Sequence, residues 1–241
     1  MATADGGSAL PPHARVREIA HLPSVLRSLG IGLDRPVLVS VGGADGMSAR
    51  DLATVAEALG RIAPVLDGWN AAVVDGGTDS GVMRVAGQVR EATGSRFPLV
   101  GVAAEGTVAS PGQEPRRGSS QLESRHTHLI IVPGDRWGDE SPWLSRVAAV
   151  IAGGRPSVTL VSNGGDITYA DIERSLDAGR PVIVLAGTGR TADAIAAAAV
   201  NGGSVPWSRA SAIASSAGLT VVPATDAAAL WAALERVLGR G

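Results

Sequence analysis

From residue 37 onward, short unbroken runs of valine-rich apolar residues alternate with longer stretches whose apolar positions recur at helical spacing. The runs fall at 37–41, 71–74, 99–103, 129–132, 158–161, 182–186 and 219–222. None alternates between apolar and polar, so each reads as a strand covered on both faces, as strands of parallel sheets are. Helical periods fall at 49–62, 80–92, 142–151, 169–177, 191–200, 208–217 and 226–238. Small polar residues such as Ser48 and Asp226 stand where side chains cap the first amides of a helix. The alternation predicts an α/β fold: a doubly wound, mostly parallel sheet of about seven strands with helices on both faces, Rossmann-like in plan.

Two segments break the pattern. Residues 1–30, with Asp5-Gly6-Gly7-Ser8 and Pro11-Pro12, read as a partly flexible N-terminal extension with a short helix at 23–29, leaving 31–241 as a single domain. Residues 105–125 carry Pro111, Gly112, Pro115, Arg116, Arg117 and Gly118; a connection of that length is either functional or disordered, and its charge run reads as a solvated face.

Composition narrows the chemistry. With 45% apolar and 18% charged residues the chain can build a continuous core. All 21 basic residues are arginine and there is no cysteine, which removes Schiff-base and P-loop lysines, thiol nucleophiles, cysteine-bound metals and disulfides. A formal charge of -2 and only one Phe, one Tyr and five Trp give no basic surface or stacking platform for nucleic acid. No apolar run reaches the ~18 to 20 residues of a membrane span, and the first ten residues do not resemble a secretory signal. The expectation is a cytoplasmic protein with no membrane and no nucleic-acid partner. The alanine-rich, lysine-free composition points to a GC-rich bacterial source.

In open parallel sheets ligands bind beyond the carboxyl ends of the strands. Four turns expected there are glycine-rich: 41–46, 75–83, 163–166 and 187–190. One glycine pair is what any such turn needs. Four brought to one sheet edge point to a ligand approached by backbone amides and helix N-termini, and an anion such as phosphate fits. No turn is a strict G-x-G-x-x-G or a Walker loop. Arg190, at a helix start, can pair with a phosphate or with Asp193. Glu105, just after the third run, is placed to accept from a ribose hydroxyl. His126 and His128 share one strand face; without a third ligand in the pattern they read as hydrogen-bonded structural residues, and no metal site is expected. Trp137, Trp143, Trp207 and Trp231 read as core or subunit contacts, with Trp137, in a glycine-flanked loop, also able to stack on a base.

The wording of these turns resembles a known family. Residues 73–83, Val-Val-Asp-Gly-Gly-Thr-Asp-Ser-Gly-Val-Met, are similar to the GG-x-x-x-G-[VL]-M signature of the SLOG superfamily, a Rossmann-like nucleotide-binding group. Its members include LOG phosphoribohydrolases and the cytosolic N-terminal domain of melastatin-type (TRPM) cation channels. The likeness is closer to the second and its prokaryotic relatives. Residues 126–132 resemble that family's histidine-led strand, 182–193 its strand followed by G-[ST]-G-R-x-A-D, and 39–44 its T-G-G-A turn with Val41 in place of threonine. The resemblance implies a cytoplasmic sensor or ligand-binding protein that takes an adenine or NAD-derived nucleotide (ADP-ribose, NAD or AMP-like) and requires no cofactor. It places the ligand against Gly42, Gly43 and Ala44, then Gly76, Gly77, Thr78, Gly81, Val82 and Met83. Gly164 and Gly165 follow, then Gly187, Thr188, Gly189 and Arg190, with apolar residues after the first turn walling the base. The alternative is a LOG-like nucleoside monophosphate N-glycosidase. The P-G-G-x-G-T-x-x-E motif of those enzymes falls on 163–171, where Asn163, Ile167 and Asp171 depart from it and Asp171 keeps the carboxylate as the catalytic candidate. A third possibility is an interaction module, a homo-oligomer formed through faces such as the alanine-rich helix at 192–199.

Overall fold

The computed structural model describes residues 10–109, 113–201 and 208–239. The glycine-rich 5–8, Pro111, Gly112 and Trp207 lie outside them. All the strands are parallel and form one sheet: β1 (His13–Arg15), β2 (Val37–Gly42), β3 (Ala72–Asp75), β4 (Leu99–Ala104), β5 (His128–Val132), β6 (Ser157–Ser162), β7 (Val182–Ala186) and β8 (Leu219–Pro223). Their order is β1-β5-β4-β3-β2-β6-β7-β8. The helices are α1 (Leu22–Ser28), α2 (Ala49–Gly68), α3 (Gly81–Ala92), α4 (Ser141–Ala152), α5 (Asp166–Asp177), α6 (Arg190–Asn201), α7 (Arg209–Ala214) and α8 (Ala227–Leu238).

The sheet separates two cores. Val37, Val39 and Val41 of β2 face one way, against Leu26 of α1, Leu144 and Ile151 of α4, Ile172 of α5 and Ile195 of α6. Leu38 faces the other way, with Leu59 and Leu66 of α2, Val82 of α3 and Leu234 of α8. Each such side chain contributes about 1.5–3 kcal/mol by leaving water, which is why unbroken apolar runs form the central strands. Helix α2 runs past its expected end through Pro64 to Gly68, with Leu66 buried on the far side of the proline.

From β2 the chain winds outward through β3, β4 and β5, then returns through α4 to the other side of β2 and continues through β6, β7 and β8. The direction therefore reverses between β2 and β6, and at such a switch the turns diverge to leave a crevice.

Residues 13–28, set apart from the domain in the sequence, pack into it. Strand β1 pairs with Leu129–Ile131 of β5, and Leu22 and Leu26 are fully buried. The irregular 105–125 segment takes the place of a covering helix over β4 and β5. Leu122 and Val108 pack on Ala103, Leu129 and Ile131. A bridge joins Thr78 to Leu122 and another joins Val108 to Ser120. The Asp79 amide donates to Gln121 O at 2.8 Å and the Glu123 amide to Gly77 O at 2.9 Å. We call the part from residue 113 to 125 the strap.

Candidate functional site

A cleft of about 680 Å³ opens at the β2–β6 switch, a volume within the usual range for small-molecule sites. Ser40–Gly43 of β2 and its turn form the floor. Gly76, Thr78, Ser80 and Met83 form one wall, and Gly165–Thr168, Asp171 and Arg190 the other. Glu140, Ser141 and Leu144 of the α4 start, Trp137 before them and Gly118–Ser120 of the strap close the rim.

Three helices present their N-termini here: α3, α4 and α5. The N-caps of α2, α7 and α8 (Ser48, Ser208 and Asp226) each take an amide with a side-chain oxygen. The N-caps of α3, α4 and α5 (Ser80, Glu140 and Gly165) take none. Outside the site α1 is also uncapped, but it continues from a 3-10 turn. An anion binds free first-turn amides at the positive end of the dipole. At α4 Pro142 has no amide hydrogen and the Ser141 amide donates to Gly138 O, and at α3 the Val82 amide donates to Gly43 O, which leaves the first turn of α5 and the rest of that of α3. Hydroxyls surround them, from Ser40, Thr78, Ser80, Thr107, Ser141 and Thr168, with Ser119 and Ser120 on the strap.

The glycines expected against a ligand divide into two groups. Gly42, Gly43, Gly76 and Gly165 line the cleft, as do Ala44, Thr78, Met83 and Arg190. Gly81 and Val82 do not: a Cβ at Gly81 (φ +44) would collide with the carbonyls of Gly43 and Ala44, and the Val82 amide donates to Gly43 O at 3.0 Å. Gly81 is thus what lets the second turn pack on the first. Gly77 is similar: its φ is +66, a Cβ would stand 2.8 Å from Gly101 Cα, and its amide donates to Asp75 Oδ1 at 2.8 Å. Gly164 packs on Thr168.

The fourth turn is occupied by the protein's own carboxylate. Asp193 accepts from the Gly187 amide at 2.6 Å and the Gly189 amide at 3.1 Å, filling the place of an anion. The Thr188 hydroxyl donates to Leu185 O and accepts from the Asn163 amide. Thr188 is buried and Gly187 is exposed, and none of Gly187, Thr188 and Gly189 lines the cleft. Arg190 does not pair with Asp193; its guanidinium donates to Asp45 O at 3.0 Å across the cleft. Its backbone sits at φ +48, an unusual conformation for a non-glycine residue. Asn163 (φ 58) accepts the same left-handed geometry, and its side chain donates to Thr188 O at 2.6 Å. Proline, fixed at negative φ, would not fit there.

Glu105 lies at the carboxyl edge but outside the cleft lining, in ion pairs with Arg15 at 2.9 Å and Arg17 at 3.4 Å. Asp171 does line the cleft. Burial pushes its carboxyl up to about 6, with the Glu140 charge adding to the effect against a hydrogen bond from Ser141. Its Oδ1 is buried without a hydrogen-bond partner. Glu140 is raised too, chiefly by burial. Glu140 does not stand out in the sequence, although Ser141-Pro142 marks a helix start that sets a carboxylate beside the cleft.

His126 and His128 do not converge. His126 is fully buried: Nε2 donates to Asp75 Oδ1 at 2.7 Å and Nδ1 to Glu123 Oε2 at 2.9 Å. Burial alone would lower its pKa, but the two carboxylates outweigh it and raise it to about 9. An imidazolium thus ties the strap, through Glu123, to Asp75 at the base of the second turn. His128 bonds Thr127 and Leu29 O, and burial lowers its pKa.

The profile of the family described as "SLOG in TRPM, prokaryote" matches residues 35–232. The transient receptor potential cation channel subfamily M member 2 of Mus musculus is 28% identical over a 205-residue alignment that covers 68% of this chain; the Rattus norvegicus protein gives the same figures. The chain spans 13% of the length of those channels, and among its described residues no helix is long and apolar enough to cross a membrane. A solved molybdenum cofactor carrier protein from Chlamydomonas reinhardtii superposes with a TM-score of 0.53 at 17% identity, covering 86% of this chain and 99% of that one, a likeness of fold alone. With the profile spanning the sheet from β2 to α8 and every wall of the cleft, the chain belongs to the SLOG in TRPM, prokaryote, family.

Proposed function

We propose that the cleft binds an adenine or NAD-derived nucleotide such as ADP-ribose, and that the protein acts as a ligand-binding or sensing domain. The observation that carries this is the meeting of two helix N-termini with free first-turn amides, those of α3 and α5, at one hydroxyl-lined cleft. Family membership supports it. The walls hold Asp45, Glu140, Asp166 and Asp171 against Arg190 alone. Phosphates are therefore held by amides and one guanidinium, while the carboxylates suit ribose hydroxyls as acceptors. A panel of NAD, ADP-ribose, AMP and cyclic nucleotides at millimolar concentration tests the reading by thermal denaturation. A ligand at a hundred times its Kd adds about 2.7 kcal/mol, or about 5–10 °C for a chain of this size. No shift from any of them ends the proposal.

One observation favours a second reading, hydrolysis of the N-glycosidic bond of a nucleoside monophosphate. Asp171, a cleft-lining residue held up near 6, has the proton affinity of a general acid working near neutrality. Incubation with AMP then yields free adenine and ribose 5-phosphate, and Asp171→Asn abolishes it; intact AMP after prolonged incubation with the wild type excludes this reading.

A further inference from the structure

A second cavity, of about 420 Å³, lies at the other end of the sheet from the cleft, between the end of α3 and the end of the strap. Arg90, Glu91, Gly94 and Ser95 line it from the α3 side, and Ser124 and Arg125 from the strap. The C-terminal end of a helix repels anions while its carbonyls are open. Here they are taken: the amides of Thr93, Gly94 and Ser95 donate to Val89 O, Glu91 O and Arg90 O, and the Thr93 hydroxyl also donates to Val89 O at 2.8 Å.

Arg90 is half-buried, and no carboxylate pairs with its charge. Its Nε donates to Phe97 O at 2.8 Å and its guanidinium carbon stands 5.7 Å from the centre of the Phe97 ring. Those contacts fix the group and leave both terminal nitrogens without a partner among the described residues. Asp67, whose charge acts on it, spends its carboxylate on the amides of Arg96 and Phe97. Arg125 pairs with Glu91 at 2.8 Å and Glu123 at 3.2 Å, which leaves one terminal nitrogen unused. The Glu91 side chain is 70% exposed, so it yields its place to a competing anion at little cost. The Ser124 hydroxyl has no partner among the described residues and lines the same cavity. Guanidinium groups bind phosphate oxygens two at a time, and partial burial strengthens the attraction. Two of them beside one hydroxyl suit a doubly charged oxyanion.

We infer that this cavity is a second anion site, which holds a phosphate group between Arg90 of α3 and Ser124 and Arg125 of the strap. A ligand that bridges two elements stabilises the contact between them, and the strap forms part of the rim of the cleft. A phosphate bound here therefore holds the strap against α3. The inference stands apart from the nucleotide reading, since the two sites share no residue.

Magnetic resonance titration of the isotope-labelled full chain with inorganic phosphate, and separately with ribose 5-phosphate, tests it at an ionic strength held constant with chloride. The amide signals of Gly94, Ser95, Ser124 and Arg125 move and saturate with both ligands, on a curve separate from that of Gly43 and Gly165 in the cleft. Tighter binding of ribose 5-phosphate marks the ligand as an organic phosphate, and tighter binding of inorganic phosphate marks it as the free ion. Arg90→Gln weakens the response by about tenfold or more, whereas Arg190→Gln, in the cleft, leaves it unchanged. Arg125→Gln, at an exposed position, weakens it too and serves if Arg90→Gln does not fold. With phosphate bound, the Glu123 amide of the strap exchanges with deuterium more slowly in the wild type and not in Arg90→Gln. If the four amides do not saturate, or if their response survives in both Arg90→Gln and Arg125→Gln, there is no second anion site, and the nucleotide reading is untouched.

Discussion

A charged imidazole between two carboxylates inside a protein is tolerable only when its bonds are all made, and at His126 both ring nitrogens are engaged within 2.9 Å. Removing it leaves Asp75 buried without a counter-charge and Glu123 with Arg125 alone, so His126→Leu costs about 3–5 kcal/mol in urea denaturation. An undiminished midpoint would show that the ring is not charged. The sign with pH follows from its pKa near 9 in the folded state against about 6.5 unfolded. The folded form holds the proton longer, so this stabilisation is full below pH about 6.5 and is lost as pH rises through 9. Asp171 acts in a lower window. Folded it keeps its proton to about 6, unfolded it releases it near 3.8, so its ionisation removes stability as pH rises across that interval. Asp171→Asn therefore stabilises the protein at pH 8 by on the order of 2 kcal/mol, a gain that fades below pH about 4. A gain that persists at pH 3, or a loss at pH 8, contradicts the assigned burial.

At the scale of elements, the strap is the least regular part of the site and has the fewest buried anchors. Leu122 is the main one, packed with Ala103, Leu129 and Ile131. Leu122→Ala costs about 2–3 kcal/mol, and the bridging amides of Asp79, Ser120 and Glu123 exchange with deuterium markedly faster while those of β6 and β7 do not. Uniform acceleration across the sheet would show that the strap does not open separately. Neither the strap nor β1 announces itself in the sequence. A three-residue strand reading His-Ala-Arg has no apolar run and exists because β5 offers it an edge. The strap covers the sheet with scattered residues at no fixed period. The seven unbroken apolar runs and the amphipathic stretches between them were legible because burial on both sides of a sheet leaves a continuous signature. For the glycine turns only half the story was legible. Their sequence shows where Cβ atoms are excluded, but whether a ligand or a neighbouring turn excludes them depends on packing: Gly76 faces the cleft, while Gly81 faces Gly43. The self-capping of the fourth turn by Asp193 depends on a hydrogen bond that no spacing rule reports.

For the whole molecule, the strand order decides where function sits. Because winding reverses between β2 and β6, the turns after β2, β3, β5, β6 and β7 all contribute to one cleft, although their residues are spread from Ser40 to Arg190 along the chain. The near-neutral total charge conceals a cleft with more carboxylates than cations, so ligand binding there depends on oriented amides more than on net charge. The central claim is that these amides hold a nucleotide at the switch point. A crystal structure determined with ADP-ribose tests it most directly. The account predicts density for the diphosphate between Gly76 and the first turn of α5, within hydrogen-bonding distance of Arg190. Density for ADP-ribose elsewhere on the molecule, with this cleft holding only water, would contradict it.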